Sequence, residues 1–329
     1  MTLWDMILKN TKKNVPNIVV TGPTGFVGQA LTRYLNQQNF SVTATVRRPA
    51  STLPLSVQQI PVGDLLPDTD WQPALNGADT VVHLASRVHI MNDKAECPLT
   101  AFRRVNVEGT VRLAKCAVRV GVKRFVFVSS IKVNGEETKH TAFTEKDIPA
   151  PQDAYAISKW EAEQALRKIE AESGMEVVIL RPPLIYGPGV KANFLNLVKL
   201  VDKGIPLPLG CIKNTRSLLG LSNMVSAITT CITHEKAAGK TYLLSDGEDV
   251  STPELVRRIG AALDKKPKLL PVPTAWLQLA GKLTGKTAQV ERLLGSLAID
   301  SSKIRNDLDW KPVCSMQEEL AKMAKAIQG

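Results

Sequence analysis

The feature that most constrains this chain is a short β-branched run, Asn17–Thr21, that leads at once into Gly22-Pro23-Thr24-Gly25-Phe26-Val27-Gly28 and then into helical periodicity over 26–36. Strand, glycine turn and helix in that order form one supersecondary unit. Three glycines at G-x-x-G-x-x-G spacing let the backbone turn tightly and approach a bound group. The helix that starts there offers unpaired N–H donors and the positive end of its dipole. A turn of this kind suits a pyrophosphate, and Thr24, Phe26 and Val27 join Gly22, Gly25 and Gly28 as its expected contacts.

Further strands are expected at 41–46, 57–62, 80–84, 124–129 and 176–180, with long helices at 99–119, closing at Gly121, and 153–172, closing at Gly174. Strands that alternate with helices imply parallel pairing, because each connection must cross over the sheet and return. The expected fold is therefore α/β, a Rossmann doubly wound parallel sheet of order 3-2-1-4-5-6 with room for extension. After Pro182 and Pro183 the pattern loosens into short helices at 193–203, 223–234 and 253–263. Residues 15–185 are thus expected to hold the dinucleotide, and 186–329 to form a smaller, mostly helical substrate-binding region, some of whose segments return to the first.

Composition excludes more than it identifies. No uninterrupted run of about 18 apolar residues occurs, which argues against a membrane span. Residues 1–14, with Asp5 and Lys9 around a short apolar patch, do not resemble a signal peptide. The five cysteines, Cys97, Cys116, Cys211, Cys231 and Cys314, contain no C-x-x-C pair, so neither a metal site nor a disulfide framework is expected, and a reducing cytoplasm fits. The net charge of +11 is concentrated in residues 1–50 and 257–292, without interleaved aromatics. Nucleic acid is therefore not an expected partner, whereas phosphorylated small molecules are.

The end of the second strand reads Val46-Arg47-Arg48, where an enzyme preferring NAD usually places an acid for the ribose hydroxyls. Guanidinium groups there favour the 2′-phosphate of NADP over NAD, the alternative being two surface arginines unrelated to specificity. Asp64 and Leu65 follow the third strand, where the aspartate can accept from an adenine amino group. Leu84, Ala85 and Ser86 end the fourth strand at the edge where a dinucleotide would lie, and Pro182 is counted with them. His83 is expected to be a packed strand residue.

Tyr155 and Lys159 stand four apart on a helix and so share a face. A tyrosine serves as a base near neutrality only if its pKa falls from about 10, and a neighbouring ammonium and the positive nicotinamide ring both favour the phenolate. Ser129-Ser130 ends the fifth strand on the same side of the sheet.

The glycine turn, this serine and the Y-x-x-x-K helix together resemble the extended short-chain dehydrogenase/reductase family, from about Asn17 to near the C-terminus. The resemblance implies that Ser130, chosen over Ser129 by register with Val133 and Gly135, orients the substrate oxygen. It implies that Tyr155 passes the proton and that Lys159 lowers the tyrosine pKa and binds the nicotinamide ribose. Asn106 matches the family's helix asparagine near the active site, or else simply bends the helix. Segments 83–93 (HLASRVHIMND), 129–138 (SSIKVNGEET) and 180–195 (LRPPLIYGPGVKANFL) are similar to a bacterial NAD-dependent epimerase/dehydratase subgroup, UDP-glucose 4-epimerase-like and associated with surface polysaccharide synthesis. By that likeness Asn193, Arg216 and Arg292 would contact the nucleotide diphosphate of a UDP-linked sugar. A homodimer would form through 99–119 and 153–172.

Two departures stand out: the arginines after the second strand, and Leu184 where such an epimerase would use a polar substrate contact. The expected activity is hydride exchange at C4 of a UDP-hexose or UDP-N-acetylhexosamine, with a UDP-4-keto-6-deoxy-N-acetylhexosamine 4-reductase as alternative. A non-catalytic NAD(P)-sensing protein is a further alternative, which could dispense with the Ser130, Tyr155 and Lys159 that this chain keeps. The apolar and basic segment 276–286 either touches a membrane surface or packs as a terminal helix.

Overall fold

The computed structural model describes residues 16–88 and 97–328; the expectations for 1–14 and for 89–93 lie outside these residues. The first part of the chain runs β1 (Asn17–Thr21), α1 (Phe26–Gln37), β2 (Ser41–Val46), β3 (Gln58–Pro61), α2 (Gln72–Leu75), β4 (Thr80–His83), α3 (Pro98–Arg103), α4 (Thr110–Arg119), β5 (Arg124–Val128), α5 (Ala154–Ser173) and β6 (Glu176–Arg181). There follow β7 (Ile185–Tyr186), α6 (Ala192–Asp202), β8 (Arg216–Ser217), β9 (Leu219–Gly220), α7 (Leu221–Thr233), β10 (Thr241–Leu243), β11 (Asp249–Val250) and α8 (Thr252–Ala262). The chain ends with α9 (Thr274–Leu283), α10 (Thr287–Leu294), α11 (Ser302–Leu308) and α12 (Met316–Gln328).

The main sheet has seven strands in the order β10-β6-β5-β4-β1-β2-β3, every pair parallel. This is the expected order, extended by β10 beside β6. Only three residues long, β10 carries too little pattern to be read from sequence, yet Tyr242 and Leu243 are fully buried. A parallel sheet must be covered on both faces. Leu113 and Ala114 of α4 and Ala162 and Leu166 of α5 pack on Phe125, Phe127 and Val177. On the other face Leu31 and Leu35 of α1 and Ile228 of α7 share one cluster with Val20 and Ala44. Segments beyond residue 185, β10 and α7 among them, thus return to the sheet.

The long helix expected over 99–119 is interrupted by a π turn at Arg104–Gly109. Close packing accounts for the irregularity. A Cβ on Gly109 would lie 2.8 Å from Leu65 Cγ, and Asn106 within the turn is buried. The region beyond residue 185 is tied together, and to the first part of the chain, over long sequence separations. β8 pairs antiparallel with β11, and isolated bridges join Arg216 to Leu297 and Phe143 to Ile299. Its core includes Val198, Val256, Ile259 and Leu320. Among the described residues no helix is long and apolar enough to cross a membrane.

Candidate active site

A cavity of about 930 Å³ opens at the C-terminal ends of the parallel strands. It is lined by Gly22, Thr24, Gly25, Phe26, Val27, Gly28, Arg47, Asp64, Leu65, Leu84, Ala85, Ser86, Ser130, Tyr155, Lys159 and Pro182, all expected from sequence. The glycine turn forms its floor. Gly22 has φ +67°, and a Cβ there would lie 2.9 Å from the Ala85 nitrogen. A Cβ on Gly28 would meet the Gly22 oxygen at 2.1 Å. Helix α1 begins at Gly25 with no side-chain cap and no acid in its first turn, so its positive end faces the cavity uncompensated. Missing side chains and open donors are what a dinucleotide pyrophosphate needs, and the residues fit that group.

At the end of β2, Arg47 lies 3.7 Å from Asp64 across an exposed gap. Arg48 is exposed and does not line the cavity. Sequence reasoning passed over Val46, Val62 and Trp71, which supply apolar wall here. Their signal was ordinary strand and helix hydrophobicity, which does not distinguish a lining position from a core one.

Helix α5 carries the reactive side chains. Its N-terminus is capped by Asp153, which accepts from Ala156 N at 2.8 Å and pairs with Lys132 at 2.6 Å, so the first turn is held firmly. Tyr155 sits in that turn and lines the cavity together with Ser130. Ser130 Oγ also accepts from Lys132 N at 3.3 Å. One turn on, Lys159 Nζ donates to the Val128 carbonyl at 2.8 Å and lies 4.5 Å from the Phe127 ring and 6.0 Å from the Tyr155 ring.

Burial pushes the Tyr155 phenol up to about 12, Asp153 adding to the shift and Ser130 opposing it. Burial lowers Lys159 to about 7, the Glu163 carboxylate opposing. Desolvation of the phenolate sets the direction of the Tyr155 shift, while the Lys159 ammonium is turned toward the Val128 carbonyl.

Beneath the cavity lies a buried ionic network that sequence reasoning missed. Glu163, four residues beyond Lys159, receives a bidentate pair from Arg181, with Nε to Oε1 at 3.0 Å. Ser129 Oγ donates to the same carboxylate, and Arg181 Nη1 donates to Asn134 Oδ1 at 2.9 Å. The available signal was a carboxylate on the Tyr155–Lys159 face of a helix where its neighbours on the inner side are apolar.

Asn106 does not line the cavity. Its amide accepts from Arg87 N at 2.7 Å and donates to the Arg87 carbonyl and to Ser158 Oγ, fastening the chain after β4 to α5. His83 is packed as expected, bonded to Thr21 Oγ1 at 2.7 Å and Thr110 Oγ1 at 2.9 Å, and burial lowers it to about 3. The three substrate residues expected by resemblance stand outside the cavity lining. Asn193 is exposed in the first turn of α6. Arg216 Nη1 donates to the carbonyls of Arg292 at 3.2 Å and Gly295 at 3.3 Å, and Arg292 Nε is 3.9 Å from Glu136. Arg216 and Arg292 are therefore brought together, and Leu184 is partly exposed nearby in sequence to β7.

The chain is similar to known proteins. Over 319 residues, covering 96% of this chain and 97% of the relative, the sequence is 48% identical to a UDP-glucose 4-epimerase of Vibrio cholerae. It is 28% identical over 306 residues, 88% of this chain and 89% of the relative, to N-acetyl-alpha-D-glucosaminyl-diphospho-ditrans,octacis-undecaprenol 4-epimerase of Escherichia coli O157:H7. Among solved structures, UDP-glucose 4-epimerase with UDP-glucose from Thermotoga maritima shares the fold, with a TM-score of 0.76 at 21% identity over 95% of this chain and 98% of that one. Residues 18–245, from the first strand through β10, match the NAD dependent epimerase/dehydratase family. With the glycine turn, the serine and the Y-x-x-x-K helix facing one cavity, this chain belongs to that family.

Proposed function

We propose that the protein is an NAD(P)-dependent 4-epimerase of a UDP-linked hexose or N-acetylhexosamine. The observation that carries this reading is that Ser130, Tyr155 and Lys159 line the same cavity as the glycine turn. The 48% identity to a UDP-glucose 4-epimerase supports the substrate class. When bound, the nicotinamide supplies a hydride acceptor and, in its oxidised form, a positive charge. Tyr155 takes the C4 hydroxyl proton and gives it back, and Ser130 donates to the C4 oxygen. Lys159 holds the nicotinamide ribose, its pKa lowered by burial. Gly22, Gly25 and Gly28 leave space for the pyrophosphate, whose charge the α1 N-terminus meets. Arg216 and Arg292 hold the uridine diphosphate.

Arg47 lines the cavity beside the expected ribose position and favours NADP by charge; its exposed pairing with Asp64 is too weak to hold it back. That feature also supports the second reading, a 4-keto reductase that consumes reduced cofactor. We further propose that the protein works in the cytoplasm, in polysaccharide synthesis, and forms a homodimer through segments 99–119 and 153–172.

With UDP-glucose and a catalytic amount of dinucleotide, the enzyme is expected to form UDP-galactose without net cofactor turnover. Tyr155→Phe should lower kcat about 10²- to 10⁴-fold and leave dinucleotide affinity unchanged. Stoichiometric NADPH consumption with a 4-ketosugar, and no turnover of UDP-glucose or UDP-N-acetylglucosamine, would establish the reductase instead. A fully active phenylalanine variant would dismiss both.

A further inference from the structure

The hairpin of α9 and α10 carries a surface that this chemistry leaves unused. Along α9, Trp276, Leu279 and Leu283 recur at i, i+3 and i+7 and so form one stripe. They are 65%, 48% and 79% exposed. The helix is held in this orientation from behind. Leu277 packs against the core of the region beyond residue 185, and Gly281 sits so close to α10 that a Cβ would lie 2.9 Å from Val290 Cγ2. The stripe therefore faces outward by construction of this region.

Its surroundings are positive. Residues 265–286 contain Lys265, Lys266, Lys268, Lys282 and Lys286 and no acidic residue. All five lysines are exposed, and none lies in an ion pair among the described residues. Leu270, also exposed, stands between the two groups of lysines. A second copy of this chain would bring the same uncompensated charge against itself, which disfavours a symmetric protein interface here. An anionic lipid surface complements both features: the indole suits the headgroup level, the leucines the acyl boundary, and the lysines the phosphates.

We propose that the α9 stripe and its flanking lysines dock the enzyme reversibly on an anionic phospholipid surface. The helix α10 that packs against α9 ends at the carbonyls of Arg292 and Gly295, which accept from Arg216. The proposal does not depend on which sugar the enzyme takes.

Sedimentation of the full-length protein with vesicles of phosphatidylcholine containing about a third phosphatidylglycerol tests it. The protein is expected to pellet with these vesicles at low salt, and about tenfold less with pure phosphatidylcholine or in about 0.5 M salt. The double substitutions Trp276→Ser/Leu283→Ser and Lys282→Glu/Lys286→Glu should each weaken partitioning about tenfold. Both should keep dinucleotide binding and UDP-sugar turnover in solution, which shows that they fold. No pelleting with anionic vesicles, or pelleting unchanged by both double substitutions, overturns the proposal. So does an oligomer that dissociates on either double substitution without lipid, which would assign the face to a second copy.

Discussion

The first 185 residues, which line the cavity, and the region beyond them are built by different means. In the first, β1, the glycine turn and α1 follow one another directly, and the surface they offer is main chain made accessible by missing side chains. In the second, strands of two residues are held by partners far along the chain, such as Ser217 with Asp249 and Arg216 with Leu297, and the surface is side chain. A site made of local backbone resists change in shape but fails when a Cβ is added. A site made of distant side chains loses single contacts one at a time.

The largest effect that separates the two halves is expected beneath the cavity. Glu163→Gln leaves the buried Arg181 guanidinium without its carboxylate and should cost about 3–5 kcal/mol in urea unfolding. An undiminished midpoint would mean that the network does not stiffen the sheet half. Gly28→Ala drives a Cβ into the Gly22 carbonyl and should weaken dinucleotide binding about a hundredfold, read by titration calorimetry. A modest effect would show that the turn is less tight than its geometry.

Lys159→Met should stop turnover yet stabilise the fold. The folded pKa of Lys159, about 7, lies below its ordinary value of 10.5, so the unfolded chain binds more protons between these values and stability rises with pH across that window. The gain from removing the lysine should therefore be a few kcal/mol at pH 7 and fade toward pH 10.5. Melting curves that differ equally at both pH values would remove the assigned cost of burial.

The smallest effect belongs to the region beyond residue 185. Arg216→Gln should raise the KM for the UDP-sugar about tenfold, with kcat and dinucleotide affinity unchanged. A fall in kcat instead would move Arg216 from binding into the reaction itself.

Legibility followed the same division. The strands β1 and β2 coincide with the runs read from sequence, since continuous apolar segments bounded by turns can serve little else in a parallel sheet. The face shared by Tyr155 and Lys159 was legible because helical spacing alone fixes it. The π turn at Arg104–Gly109 was not, because it answers to the packing of Gly109 on Leu65 from a different part of the chain.

The sequence by itself determined the alternation of strands and helices, the glycine turn and the single face of the reactive helix, all consequences of periodicity and backbone freedom within short windows. Only the tertiary structure decided that β10 joins the sheet, that Glu163 meets Arg181, and that Asn106 fastens Arg87 and Ser158. It also decided that the phenol of Tyr155 is raised while the ammonium of Lys159 is lowered. Each of these depends on which distant groups share one water-poor space, and desolvation there acts on charges that a linear pattern presents as independent.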